Sequence, residues 1–285
     1  MIQTKRFFIV ASLVAASLAF AAKDGVTLRK TITAGTESYH LQSVGKTTLT
    51  IPGSGDQEMG MNTLTSLKYK IGALDATSGS APTELTTKVE KFDVDGPMAE
   101  IMEGQKDKIL VSTTATGKVD NHNRFTADPS KKVDPRALLN GSAAYSFITP
   151  YIEFPEKALN PGDTWEITIP KSPFLGKEDQ KLTATFNGEK DGAYSISISG
   201  TLKMNVDLGE LLKENPMPEL QAIGAVNMTI KSSSEISGDV LVDKVTGQTQ
   251  SMTVKLNTKQ TAEITDQNIS IPSVGTTTIK VTLDK

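Results

Sequence analysis

Two histidines, nine methionines and 33 acidic side chains are the groups with which this chain could do chemistry. His40 and His122 are too few for a histidine-only zinc site, which takes three or four ligands. One histidine is enough for a Ser-His-Asp triad, but no Gly-x-Ser-x-Gly elbow is present. His40 sits in the strand-like run Tyr39-His40-Leu41-Gln42 and is expected to face outward. His122 sits in the polar stretch Asp120-Asn121-His122-Asn123-Arg124, where solvation is the expected state. Met59, Met61, Met98 and Met102 carry thioethers, which suit Cu(I). Methionine is more often core filling, and no compact Met-rich loop with a neighbouring histidine accompanies these four. Asp93-Val94-Asp95-Gly96 has part of a calcium-loop pattern, yet Glu100 and Glu103 fall at the wrong spacing. A strand end followed by a Gly turn accounts for it better. Glu153 and Glu156 could pair as in glycoside hydrolysis, but chance supplies such pairs among 33 acids.

The chain has no cysteine, which removes thiol catalysis, disulfides, cysteine-bound metals and lipid attachment together. Phosphate-loop and dinucleotide glycine patterns are absent, and no cofactor is implied. Lys and Arg number 30 against 33 Asp and Glu, for a net charge of −3. The charges are interspersed without a basic stripe, so nucleic acid and anionic membrane surfaces are poor partners. Aromatic residues make up 5% of the chain, too few for a carbohydrate-stacking surface.

The elements that must position these groups are strands. Ala193 to Ser199 places Tyr194, Ile196 and Ile198 on one face and serines on the other. Val226 to Lys231 and Ile279 to Leu283 repeat the alternation. Period two with one apolar face marks antiparallel strands with one wet side. The spacing predicts hairpins at Phe186–Gly192, at Val242–Gln248 and at Leu74–Gly79. The last two form a weak internal echo, each followed by a Thr-rich strand (Leu85–Phe92 and Ser251–Asn257). Shared turn chemistry explains the echo more simply than duplication. Short helices are expected at 97–103 after Asp95-Gly96, at 134–139 with Asp134 as cap, and at 207–214 ending before Pro216. The fold class is therefore mainly β: an antiparallel curved sheet, half-barrel or sandwich with a few short helices.

The most distinctive string is Phe154-Pro155-Glu156-Lys157-Ala158-Leu159-Asn160-Pro161-Gly162-Asp163-Thr164-Trp165. Pro161-Gly162 is a turn, Asp163 caps it by bonding N–H groups further on, and Trp165 opens the strand Trp165–Ile169. The F-P…P-G-D-T-W pattern, among Thr-rich strands, resembles a set of exported bacterial β-rich proteins of unknown function. The resemblance implies an exported β-fold and carries no catalytic residues. By fold-level analogy, the chain also resembles the half-barrel lipoprotein carriers of the periplasm, which hold acyl chains in an apolar concavity.

Residues 1–21 read as a secretory signal peptide. Lys5 and Arg6 are followed by an apolar run, Phe7 to Leu18, and by the small-x-small site Ala19-Phe20-Ala21. The run is shorter than the ~20 apolar residues of a membrane span, and no later segment approaches one. The sequence therefore predicts a soluble exported chain, periplasmic or extracellular and not lipid-anchored. Residues 22–285 form one β-rich domain, with 22–170 and 181–285 as candidate halves. The leading expectation is a non-catalytic binding, carrier or scaffold protein of the bacterial envelope. Its partner would be an apolar small molecule, a lipid or another envelope protein. The alternatives are a hydrolase using acids in a cleft and an envelope assembly or adhesion module. Trp165, Tyr194, Met204 and Met228 are the candidate ligand contacts, with core packing as their simpler role; no catalytic or metal residues are nominated.

Overall fold

The computed structural model describes residues 25–97, 99–104, 106–128, 149–171, 175, 178–214 and 227–284. The expected signal peptide, the expected helix at 134–139, Met98 and Val226 lie outside them.

Eleven strands form one open sheet. In chain order they are β1 (Gly35–Ile51), β2 (Gly55–Ile71), β3 (Ser80–Val94), β4 (Ser112–Asp120), β5 (Phe125–Ala127), β6 (Thr164–Ile169), β7 (Gln180–Lys190), β8 (Ala193–Asp207), β9 (Met228–Asp243), β10 (Thr249–Ile264) and β11 (Ile269–Leu283). Their order across the sheet is β5-β4-β3-β2-β1-β11-β10-β9-β8-β7-β6, with every neighbouring pair antiparallel. The chain starts in the middle, meanders to one edge, crosses to the other edge after β5, and meanders back. The first and last strands therefore pair, from Tyr39 opposite Leu283 to Leu49 opposite Ser273. Residues 170–179 join β6 to β7, adjacent strands of this sheet.

Helices are few: α1 (Ala99–Glu103), α2 (Lys106–Ile109) and α3 (Leu208–Glu214) among the described residues. Asp207 caps α3, its Oδ1 accepting from the Glu210 amide at 3.1 Å.

Alternation sets the core. Tyr39, Leu41, Leu67, Tyr69, Val254, Leu256, Ile279 and Val281 are buried on one face, here the inner face, while neighbours such as His40, Lys68, Lys255 and Lys280 are exposed. His40 faces outward as expected, 3.3 Å from Asp284. Two hairpins differ from expectation. The Phe186–Gly192 connection is only two residues long: Asp191 (φ 52°) and Gly192 (φ 80°) make the turn that suits strand twist. Asn187-Gly188 instead falls at a register shift within β7, with Gly188 at φ 91°. The Asp120–Arg124 stretch is a tight β4–β5 turn rather than a solvated loop. Asp120 Oδ1 accepts from the amides of His122 (2.9 Å) and Arg124 (3.1 Å), and Asn123 is buried at 1% exposure.

The Asp75–Gly79 and Asp243–Gly247 hairpins have the same geometry. In each, the Gly amide donates to the Asp carbonyl, at 2.8 and 2.9 Å, and the Asp carboxylate caps the turn. The echo is carried by turn chemistry.

Candidate binding face

The strands are long. β1 and β2 have 17 residues each, or roughly 56 Å at about 3.3 Å per residue. The inner face consequently has two parts: a lower end near the Asp243–Gln248 hairpin and an upper end near residues 51–55 and 264–269.

Two extended segments close the lower end. Residues 25–34 and 149–160 pair through Val26 and Leu159, which exchange backbone hydrogen bonds of 2.7 and 2.8 Å. Leu28, Tyr151, Ile152, Phe154 and Leu159 join the inner face in one apolar cluster. The 149–160 segment also ties the two sheet edges. On one side Asn123 Nδ2 donates to the Ile152 carbonyl (3.0 Å) and the Phe154 amide donates to the His122 carbonyl (2.7 Å). On the other, Trp165 Nε1 donates to the Glu153 carbonyl (2.7 Å). His122 is half-buried, its Nδ1 3.2 Å from the Phe154 carbonyl, so the expected solvation does not hold. Asp163 also departs from expectation: its Oδ2 accepts from the Asn160 amide behind it (2.8 Å), while Gly162 takes φ 96°.

A polar cluster that sequence reading missed lies inside this closure. Lys30 Nζ is 2.8 Å from Glu37 Oε1, with the lysine side chain 1% exposed. Tyr151 OH (2.8 Å) and Tyr39 OH (3.3 Å) donate to Glu37 Oε2. Tyr69 packs edge-on against both tyrosines, and its buried hydroxyl has no partner among the described residues. Burial, reinforced by the Glu37 carboxylate, holds all three phenols far above the usual tyrosine range. The cluster fixes residues 25–34 in place and presents no open cleft.

The upper inner face is different. Successive rows across the strands follow from the register. The first reads Met59, Thr47, Gly275, Thr258, Ser234 and Leu202. The next reads Gln57, Leu49, Ser273, Gln260, Ser232 and Met204. Above them lie Ile271, Ala262, Ile230 and Val206, then Ile269, Ile264 and Met228. A belt of hydroxyl and amide side chains thus separates the closed core from an apolar rim. Most of these residues are half-buried rather than buried.

The four candidate contacts all lie on the inner face, but not together. Trp165 and Tyr194 belong to the closed lower half, Tyr194 against Phe186 at 5.6 Å. Met204 and Met228 belong to the upper half, both half-buried. Met59 and Met61 share the inner face of β2. No group of three or more His, Asp or Glu able to hold a metal occurs among the described residues.

The outer face carries a hollow of about 670 Å³ over β2, β1, β11, β10 and β9. Lys46 and Lys259 lie on its floor, with Glu58 and Asp95 on one side and Glu235 on the other. Asp95 is held by the Gly60 amide.

Residues 146–249 match a protein family of unknown function, DUF6263, a span that includes Trp165 and β6 to β9. No curated protein matches the sequence. Among solved structures, one of lipovitellin, titled for its lipid–protein interactions, is 10% identical with a TM-score of 0.43. The alignment covers 90% of this chain and 26% of the lipovitellin chain, so the chain spans about a quarter of that protein. DynF from the dynemicin pathway of Micromonospora chersina is 9% identical, covering 91% of this chain and 85% of its own, with a TM-score of 0.23. OccK7 (OpdD) of Pseudomonas aeruginosa is 6% identical, covering 87% and 99%, with a TM-score of 0.28. Likeness this low leaves function to the residues of the chain itself. No helix among the described residues is long and apolar enough to cross a membrane.

Proposed function

We propose that this is an exported binding protein of the bacterial envelope that holds an apolar small molecule or lipid against its upper inner face. One observation carries the reading: the inner face turns apolar again beyond the closed core, where Met204 at the edge of the belt and Met228, Ile230, Ile264 and Ile271 above it remain half-buried. Apolar surface that folding does not fully cover gains free energy from a ligand that covers it. The export part rests on residues 1–21, whose basic start, apolar run and Ala19-Phe20-Ala21 site have the order of a secretory signal.

Native mass spectrometry of the protein from its own source tests the binding part. An added mass removable by organic extraction is expected, and a bare polypeptide mass overturns it. N-terminal sequencing tests export: a start near Ala22 or Lys23 is expected, and an uncut chain retained in the cytoplasm overturns it.

A second reading, hydrolysis in the outer hollow, draws on the three carboxylates that line it, Glu58, Asp95 and Glu235. It requires turnover of a chromogenic ester or glycoside that is lost in Glu58→Gln or Glu235→Gln. Turnover unchanged in both variants rules that site out.

A further inference from the structure

The side chains of the upper inner face divide into two chemical zones, and neither carries a charge. From the Thr47 row upward, the inner positions of β1, β2, β8, β9, β10 and β11 hold no Lys, Arg, His, Asp or Glu. The charged residues at these levels, including Lys46, Lys231, Lys259, Glu58, Glu235 and Glu263, alternate onto the outer face. Glu103 of α1 pairs with Lys106 of α2 (3.2 Å), and within α3 Glu210 pairs with Lys213 (2.6 Å).

The belt comes first above the closed core, so it forms the inner end of any site that opens at the rim. Thr47, Thr258, Ser234, Gln260 and Ser232 there are half-buried and hydrogen-bond capable. Ser234 Oγ and Thr258 Oγ1 lie 2.8 Å apart. Two hydroxyls sharing one hydrogen bond leave the second hydrogen free to donate elsewhere. Gln260, Ser232 and Thr47 make no side-chain hydrogen bond among the described residues, so their donors and acceptors remain open. Below the belt on the same face, Ser43 is fully buried, and its hydroxyl has no partner among the described residues.

We infer that the ligand of this face is an uncharged amphiphile of the acylglycerol type. Its ester and hydroxyl groups meet the Ser/Thr/Gln belt, and its acyl chain lies along the Ile/Met rim. The inference rests on the binding-protein reading above and adds the headgroup. A plain hydrocarbon would cover the belt and leave its donors and acceptors unpaired, which is costly. A carboxylate or phosphate placed against the belt would meet no cation from the inner positions of these six strands, which costs more.

Isothermal titration calorimetry of the purified protein at pH 8 tests this with three probes of one chain length, each below its micelle concentration. They are 1-monooleoylglycerol, oleate and oleoyl-lysophosphatidylglycerol. Monooleoylglycerol is expected to bind at least tenfold tighter than either anion. Thr258→Lys and, separately, Ser232→Lys are expected to shift the ratio toward oleate by tenfold or more, with folding checked by circular dichroism. Equal or tighter binding of an anion overturns the neutral-headgroup inference and leaves the binding-protein reading intact. So does an unchanged ratio in whichever lysine variants fold. Failure of all three probes to bind overturns the lipid reading itself.

Discussion

Lys30 and Glu37 form a 2.8 Å ion pair that joins the chain's first described segment to its first strand. The two partners are not equivalent. Glu37 also accepts from Tyr151 and Tyr39, whereas Lys30 has Glu37 as its counter-ion and otherwise lies 5.0 Å over the Tyr151 ring. Breaking a buried pair from one side costs about 3–5 kcal/mol, because a charge is left without compensation. Glu37→Gln, which strands the ammonium, should approach that range. Lys30→Met leaves a carboxylate that two phenols still solvate, and should cost less. Urea unfolding of both variants decides the matter, and a Lys30→Met loss as large as that of Glu37→Gln would contradict the asymmetry.

The three tyrosines around Glu37 predict an alkaline transition. Their folded pKa values are raised above the ordinary value of 10.0 by burial and by Glu37. A raised acid contributes stability below its unfolded pKa and loses it as pH rises toward the folded value. Stability should therefore be flat below about pH 9 and fall above pH 10. Tyr39, Tyr69 and Tyr151 should ionise together with unfolding, in one cooperative step of the 295 nm absorbance. Independent titration of all tyrosines near pH 10 in the still-folded protein would contradict this.

The Asp243 hairpin predicts an acid limb. Its carboxylate accepts from Thr246 N (2.8 Å), Thr246 Oγ1 and Val245 N (both 2.9 Å), and these bonds, the Thr246 amide first, hold its pKa below the usual range. A depressed acid contributes stability above its unfolded pKa, near 4, and loses it as pH falls through the folded value. Asp243→Asn should therefore narrow its deficit against the parent as pH drops below about 4. A deficit that stays constant from pH 7 to pH 3 would assign the loss to something other than charge.

Much of this was legible in the sequence, and the reason is locality. The strands at 193–199 and 279–283, the Trp165 strand and the 207–214 helix all follow from residues within a few positions of each other. The Asp…Gly turns do as well. Sheet order was not legible, because nothing local says that residue 39 meets residue 283, or that the chain crosses the sheet after β5. The Lys30–Glu37 pair was missed for the same reason. A lone lysine in a coil and a glutamate near a strand start look solvated until Tyr151, from a distant segment, closes over them beside Tyr39. The candidate face was half legible. Alternation placed Tyr194, Met204 and Met228 on one side, but only the register of six strands reveals the polar belt between core and rim.

Gly247 meets the closing segment at short range. It holds φ 67°, and a Cβ there would lie 2.0 Å from the Arg29 carbonyl oxygen. The neighbouring Thr246 carbonyl accepts from the Thr31 amide at 2.7 Å. Gly247→Ala combines left-handed strain with a backbone clash, so at least about 2 kcal/mol should be lost. Gly192→Ala, also at positive φ but with open space around its Cβ, carries strain alone and should cost about 1 kcal/mol. The amides of Val26, Lys30 and Thr31 should lose hydrogen-exchange protection in Gly247→Ala and keep it in Gly192→Ala. Equal protection in both variants would show that the hairpin does not hold the segment.

The upper inner face offers the most direct separation of stability from binding. Ile230 and Met204 are half-buried on the inner face, so a long charged side chain at either site can turn its head to water while blocking the apolar path. Ile230→Lys and Met204→Lys should each lose no more than about 2 kcal/mol of stability, within the ordinary range for single substitutions. Both should also abolish any apolar mass that accompanies the parent in native mass spectrometry. Thr276→Lys, exposed on the outer face, supplies the control and should retain that mass. If the mass survives both inner-face variants and disappears in Thr276→Lys, the ligand occupies the outer hollow, and the inner face is ordinary core.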